Sequence, residues 1–353
     1  MNTEFVVREL KVERIDPHPN GDFIEIIYVD SDYPAIVKKG EFKIGDSAIY
    51  FPIDSILPLE NEQFAFLKNK DTDTKHRLKA AKKRGIFSMG LLVPNIHSYT
   101  NDMDIQKLYG VEKWEPQIRI NFGGDCDCDY SLIENYGLSS LRKKNDVFFI
   151  GEKVAITEKL HGTWGGFCFS TKYGFLCKSH TQYRRKYKNT IKLSWFGKLL
   201  KYLGLLPKKY TKRVESFYWK IARENNLEEL TQEIPDLMLC CEIVNVFNKF
   251  SYGASGGKQD IYIFDIYDII RKRFLGFEQY RIICLNLGLK PVPLLEICSW
   301  QGYEAVKNKY NSGKSVLADH MREGIVVQSL EEKYDLLNGR KKYKFVSEEY
   351  LLN

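Results

Sequence analysis

Over its first 95 residues the chain alternates short apolar runs with turn residues. Residues 5–15 and 23–29 alternate or run apolar. Between them lies His18-Pro19-Asn20-Gly21-Asp22, in which Asn-Gly is the strongest turn signal. Residues 34–37 and 47–51 read as further strands, set apart by Lys39-Gly40 and Lys43-Ile44-Gly45-Asp46, and residues 85–93 read as a closing strand. Short strands at this spacing predict a small β-barrel. Residues 96–146 are polar and rich in Gly and Asp, a connector with one short helix near 103–109. From residue 147 the period changes. Strands are expected over 154–158, 166–170, 174–178, 237–246, 261–269, 324–328 and 341–346. Helices are expected over 193–230, with a break at 204–207, and over 277–287 and 303–311. The pattern is α+β with antiparallel strands, in three segments: 1–95, 96–146 and 147–353.

The length of 353 residues suits two domains, and 44% hydrophobic with 14% aromatic content is enough for packed cores. The net charge of +7 is only modestly basic, so its distribution matters more. Residues 178–223 hold fourteen Lys or Arg against one acid, Glu215, with Tyr183, Tyr187, Trp195, Tyr202, Tyr210 and Trp219 interleaved. That segment reads either as a solvated helical face or as a surface that tracks phosphates. A second basic run, HRLKAAKKR, occupies 76–84. The eight cysteines show no C-x-x-C spacing: Cys126 and Cys128 are one residue apart, and Cys240 and Cys241 adjoin. Reduced thiols rather than a zinc site are expected. The segment MNTEFVVREL has no apolar signal region, and no run approaches a membrane span, so an intracellular protein, cytoplasmic or nuclear, without membrane contact is expected.

Candidate chemistry gathers at Thr157-Glu158-Lys159-Leu160-His161-Gly162-Thr163. A lysine between a strand and a turn, beside other cations, can lose its proton and act as a nucleophile. Gly162 would let backbone approach a nucleotide. Alone the run is weak, and a surface lysine before a turn would look the same. Downstream, Glu242 stands inside an apolar strand and Glu323 directly before another. Tyr262 and Phe264 share a face by alternation, and Lys342 and Lys344 share a face of the last strand. One lysine, two isolated acids and a lysine pair suit attack on phosphorus, metal and ribose binding, and neutralisation of phosphate charge.

In order and spacing these motifs resemble the covalent nucleotidyltransferase superfamily of ATP-dependent ligases and capping enzymes. The E-K-x-H-G-T form is similar to the RNA ligase branch, and residues 18–94 resemble the OB domain that precedes the transferase in Deinococcus/Naegleria-type RNA ligases. The resemblance implies an N-terminal OB-like barrel and an antiparallel-sheet, ATP-grasp-like ligase domain. It implies Lys159 as the adenylylated nucleophile, with Glu158 positioning the nucleotide and His161 assisting later steps. Glu242 would contact ribose or a metal-bound water, Tyr262 would stack on adenine, and Glu323 would bind metal through water. Lys342 and Lys344 would contact the α-phosphate. The family's arginine some twenty residues after the nucleophile is absent; the window reads Cys177-Lys178-Ser179-His180, so Lys178 is the candidate replacement. ATP and Mg²⁺ (or Mn²⁺) are the implied cofactors. The implied partner is RNA with 3′-OH and 5′-phosphate ends, as a nicked duplex or RNA/DNA hybrid, bound by a monomer. A DNA ligase would use the same residues, although such enzymes usually carry Asp where His161 stands. A guanylyltransferase would place its OB domain after the transferase. An OB-type RNA-binding protein without catalysis would not need Lys159, Glu242, Glu323, Lys342 and Lys344 together.

Overall fold

The computed structural model describes residues 5–29, 33–68, 70, 72–114, 136–180, 182–193, 209–246, 250–253, 258–335 and 339–352. In the N-terminal part, Ser47–Pro52 lies between Arg8–Lys11 and Gly90–Pro94, antiparallel to both. Ile24–Tyr28 lies between Ile15–Pro17 and Pro34–Lys38. Ser55–Pro58 lies between Lys75–Arg77 and Glu112–Lys113. From Ala48 to Pro52 the strand Ser47–Pro52 is apolar and buried because both of its faces are covered. Ile49 and Phe51 enter one cluster with Leu57, Phe64 and Val93, while Ala48 and Tyr50 enter another with Ile27, Val37 and Phe87.

The expected closing strand over 85–93 is broken in two, Ile86–Ser88 and Gly90–Pro94. The chain crosses Ser47–Pro52 so closely at Gly90 that a β-carbon there would stand 2.6 Å from the Phe51 carbonyl oxygen. The two ends of the expected connector pack with their neighbours. Ile105–Leu108 is helical, and Ile105, Tyr109 and Val111 are buried in the N-terminal core. Ser139–Ser140 pairs with Lys342–Val346, and Leu141 is buried in the C-terminal core.

The C-terminal part holds two five-stranded sheets. One runs Ser139–Ser140, Lys342–Val346, Gly324–Ser329, Lys153–Lys159, Leu294–Ser299. The other runs Gly174–Ser179, Thr163–Ser170, Leu237–Val244, Asp260–Asp268, Arg273–Phe274. Helix Tyr303–Tyr310 packs Tyr303 and Val306 on Val154, Ile325 and Phe345. Helices Phe217–Glu224 and Phe277–Asn286 cover Phe167, Leu239 and Ile263 of the second sheet.

The helix expected from 193 is not formed at either described edge. Tyr187–Leu193 and Lys209–Glu215 make an antiparallel hairpin, and helix begins only at Phe217. Residues 209–215, KYTKRVE, have Tyr210 and Val214 at even positions and only polar residues (Lys209, Thr211, Arg213, Glu215) at odd ones, which fits a period of two better than 3.6. Residues 194–208, with the expected break, and Cys126 and Cys128 lie outside the described residues. The six described cysteines are free. Among the described residues no helix is long and apolar enough to cross a membrane.

Candidate active site

A cavity of about 620 Å³ opens between the two sheets. Thr157, Glu158, Lys159, Val326, Lys342 and Lys344 line it from the first sheet, and Trp164, Glu242 and Phe264 from the second. Lys159 ends its strand opposite Gly324, which places it beside Glu323. Its Nζ donates to Glu323 Oε1 at 2.5 Å. Burial disfavours the ammonium, but Glu323 and Glu242 outweigh it and hold the Lys159 pKa above the ordinary lysine value. The expectation that neighbouring cations ease its deprotonation is therefore corrected: the groups nearest Lys159 are acids. For Glu323, burial is again outweighed, here by Lys159 and His161, and its pKa lies below the usual carboxylate value. Burial pushes Glu242 up to about 8 despite Lys159.

His161 packs at a tilt against Phe250 and shares a 2.9 Å hydrogen bond between Nδ1 and the Tyr350 hydroxyl. Its Nδ1 lies 3.7 Å from Glu323 Oε2, and its backbone N–H donates to the Tyr252 hydroxyl. Gly162 faces backbone of its own fold. A β-carbon there would stand 2.2 Å from the Ile243 carbonyl oxygen, and its N–H donates to Glu242. Glu158 is buried; its Oε2 accepts from the Val316 N–H at 2.9 Å, while Oε1 has no hydrogen-bond partner.

Lys342 donates to the Phe264 carbonyl at 2.8 Å and pairs with Asp265 at 2.9 Å. Burial brings the pKa of Lys342 down to about 8, and burial together with Lys159 does the same for Lys344. Five expected members lie off the cavity wall: His161, Gly162 and Glu323, which pack directly behind it, and Lys178 and Tyr262. Lys178 is buried behind it, its ammonium donating to the His180 carbonyl at 2.9 Å and lying over Trp164; His180 takes the wall position. Tyr262 packs among Leu160, Val244, Phe250 and Tyr252, and Phe264 is the aromatic of that strand that lines the cavity.

A β-bulge lies at Phe264. Cys241 pairs with Ile263 and Cys240 with Asp265, so Phe264 is an extra residue between them. The core-facing parity flips there, from Ile261 and Ile263 to Ile266. Asp265 thereby turns to the cavity side, wholly buried, where Arg340 grips both of its oxygens at 2.7 and 2.8 Å. The Tyr136 hydroxyl donates to it as well, at 2.5 Å. Sequence reading did not single out Asp265, Arg340, Tyr136, Trp164 or Lys113, the last of which reaches the cavity from the N-terminal part. An isolated acid in an apolar strand, the signal that marked Glu242, was equally present at Asp265.

The RNA ligase family model matches residues 152–346, more than half of the 353-residue chain. The chain belongs to the RNA ligase family. An OB-fold domain family matches residues 6–95, so this RNA ligase carries its OB domain in front of the ligase domain. Solved structures of the Naegleria gruberi RNA ligase share the fold over the whole chain. A glutamate-to-alanine variant with ATP and Mn has a TM-score of 0.77 at 23% identity, covering 99% of each chain. An aspartate-to-alanine variant, apo, has 0.76 at 24%, covering 100% of this chain and 98% of that one. The same ligase with PPi has 0.76 at 23%, covering 99% and 98%. No curated protein matches the chain.

Proposed function

We propose that this RNA ligase consumes ATP to join a 3′-hydroxyl to a 5′-phosphate, with Lys159 as the covalent nucleophile. The observation that carries the reading is the cavity: Lys159, with Glu323 on its ammonium, shares it with Glu242, Phe264, Lys342 and Lys344. In the first transfer, Lys159 Nζ attacks the α-phosphorus of ATP. An N–P bond forms and the bond to pyrophosphate breaks. In the second, AMP passes from lysine to the RNA 5′-phosphate. In the third, the 3′-hydroxyl attacks that activated phosphate, a phosphodiester forms and AMP leaves. Lys342, Lys344 and Lys113 bring positive charge to the phosphates, Phe264 offers a face to the adenine, and the free Oε1 of Glu158 is an acceptor for an amine. That the Naegleria ligase was solved with ATP and Mn, with AMP and Mn, and with PPi supports the nucleotide assignment.

Lys159 must shed a proton that Glu323 and Glu242 hold on it. Among the described residues no three His, Cys, Asp or Glu surround a common point, and Glu323 Oε2 has no hydrogen-bond partner. Two carboxylates of this kind fit Mg²⁺ or Mn²⁺ held mainly through waters and substrate phosphates. Such an ion would neutralise carboxylate and phosphate charge together. Five buried free thiols fit a reducing, intracellular setting.

The test is sealing of a 5′-labelled nick by the monomer, with RNA or DNA on either strand. ATP-dependent joining of the RNA nick, with an adenylylated 5′ end as intermediate, is expected. Equal joining of an all-DNA nick would move the assignment to a DNA ligase.

A further inference from the structure

Two sequence features stand outside the cavity, the turn at 18–22 and the basic run at 76–84, and the fold brings them together. Ala81–Lys83 and Ile86–Ser88 form a hairpin with Arg84 and Gly85 at its tip. Asn20 Nδ2 donates to the Arg84 carbonyl at 3.1 Å, and Arg84 Nη1 donates to the Asn20 carbonyl at 3.2 Å. His18 Nδ1 accepts the Asn20 N–H at 3.1 Å, so Nε2 carries the ring proton and donates to the Lys83 carbonyl, also at 3.1 Å. His18 is 6% exposed. Arg84 is held at φ 44°, a left-handed conformation that an arginine adopts only when its surroundings impose it. Gly21 fits the clamp because a β-carbon would meet Ile24 Cγ1 at 2.6 Å and His18 Nδ1 at 3.2 Å.

The basic run divides in two. At its start the cations are tied to the protein: Lys75, just ahead of the run, pairs with Glu112, and Arg77 pairs with Asp54 while lying over Trp114. Lys79, Lys82, Lys83 and Arg84 are exposed, and among the described residues no carboxylate pairs with them. A merely solvated face needs no such clamp. The hairpin also belongs to the body that carries the cavity. Phe87 shares a cluster with Leu351, and the next residue back, Tyr350, is hydrogen-bonded to His161 beside Lys159.

We propose that the tip formed by Lys82, Lys83 and Arg84, locked by His18 and Asn20, is a pre-ordered holder for the phosphate backbone of the RNA being sealed. The inference rests on the RNA ligase reading and adds the place and the device. Fixing the tip in advance removes the ordering penalty that three mobile cations would meet on binding. Contacts of this kind hold RNA without reading its sequence.

The test uses full-length protein and a nicked RNA duplex with a 5′-phosphate, its affinity measured between about 50 and 200 mM salt. The combined variant Lys82→Ala, Lys83→Ala, Arg84→Gly removes three charges, glycine being chosen because it accepts the positive φ. The slope of log affinity against log salt should flatten by about 2 to 3, from roughly 0.9 per phosphate contact. Asn20→Ala removes no charge, yet it should weaken RNA binding several-fold by loosening the tip. Adenylylation by ATP is followed on the same preparations. Wild-type protein that never adenylylates would sink the ligase reading while leaving the binding comparison intact. An unchanged slope in the combined variant overturns the proposal, as does RNA binding by Asn20→Ala at wild-type strength. A parallel loss of nucleotide transfer overturns it too, because the tip would then be supporting the fold.

Discussion

Asp265 is the residue whose replacement tests the architecture of the cavity most severely. Asp265→Asn keeps the shape and removes the charge. In the structure that charge is fully buried, gripped by Arg340 through two bonds and by Lys342 at 2.9 Å. Burial alone would raise the Asp265 pKa, but Arg340 and Lys342 win and bring it from 3.8 to about 2, which corresponds to about 2 kcal/mol of stability at neutral pH. Because the pKa is depressed on folding, this stability is fully present above pH 3.8 and is lost as pH falls through 2. The variant also leaves Arg340 and Lys342 buried without their counter-charge. Breaking such a buried pair costs about 3 to 5 kcal/mol, and the amide oxygen retains some hydrogen bonding, so about 3 kcal/mol is expected. At about 2–4 °C per kcal/mol the ligase domain should melt about 6–12 °C lower. Function should respond as well. Asp265 raises the Lys342 pKa, so without it Lys342, already near 8, loses its proton at lower pH. Adenylylation should fall by about 100-fold at neutral pH and recover partly as pH is lowered. The assays are thermal unfolding by circular dichroism and a pH–rate profile for labelled-AMP transfer. Adding Arg340→Gln should make the Asp265 change cost less than it does alone, since the two are coupled. A melting shift below about 2 °C with an unmoved pH profile would refute the reasoning.

Phe264→Ala should raise the KM for ATP, whereas Tyr262→Ala should act mainly through stability; nucleotide titrations of both variants, with the reverse result counting against Phe264 as the base platform, decide this. Rising pH helps Lys159 shed its proton but strips Lys342 and Lys344 of theirs near pH 8, so the adenylylation profile should be bell-shaped with a declining limb set by the phosphate lysines; Lys344→Arg should carry that limb to higher pH, and an identical limb would remove Lys344 from the phosphate site. Gly162→Ala drives a methyl group to within 2.2 Å of the Ile243 oxygen and should cost about 1–3 kcal/mol or more, read as a lower denaturant midpoint; an unchanged midpoint would deny the close approach.

The ordered motifs were legible because each charged residue is set against an apolar strand: Lys159 at the end of one, Glu242 inside one and Glu323 directly before one. The barrel was legible from its turns. Alternation failed just past Phe264, at Asp265, because a single inserted residue reverses which side chains face the cavity, and no local signal in an apolar strand announces a bulge. The raised Lys159 pKa was hidden because its partner Glu323 is 164 residues away, so sequence neighbours gave the wrong sign for its field. The 209–215 strand was read as helix because leucines and aromatics upstream dominated the window, although its own period was two. Lys178 stands in the sequence window of the missing arginine but is turned behind Trp164, a side-chain orientation that spacing does not encode.

The claim on which the account depends is that Lys159 takes AMP covalently. Protein incubated with α-labelled ATP and Mg²⁺, then run on a denaturing gel, should retain label that is acid-labile and base-stable, as a phosphoramidate is. The labelled peptide should contain Lys159, α-labelled GTP should leave no label, and Lys159→Ala should abolish it. Label persisting on the alanine variant, or mapping to any other residue, would contradict the account.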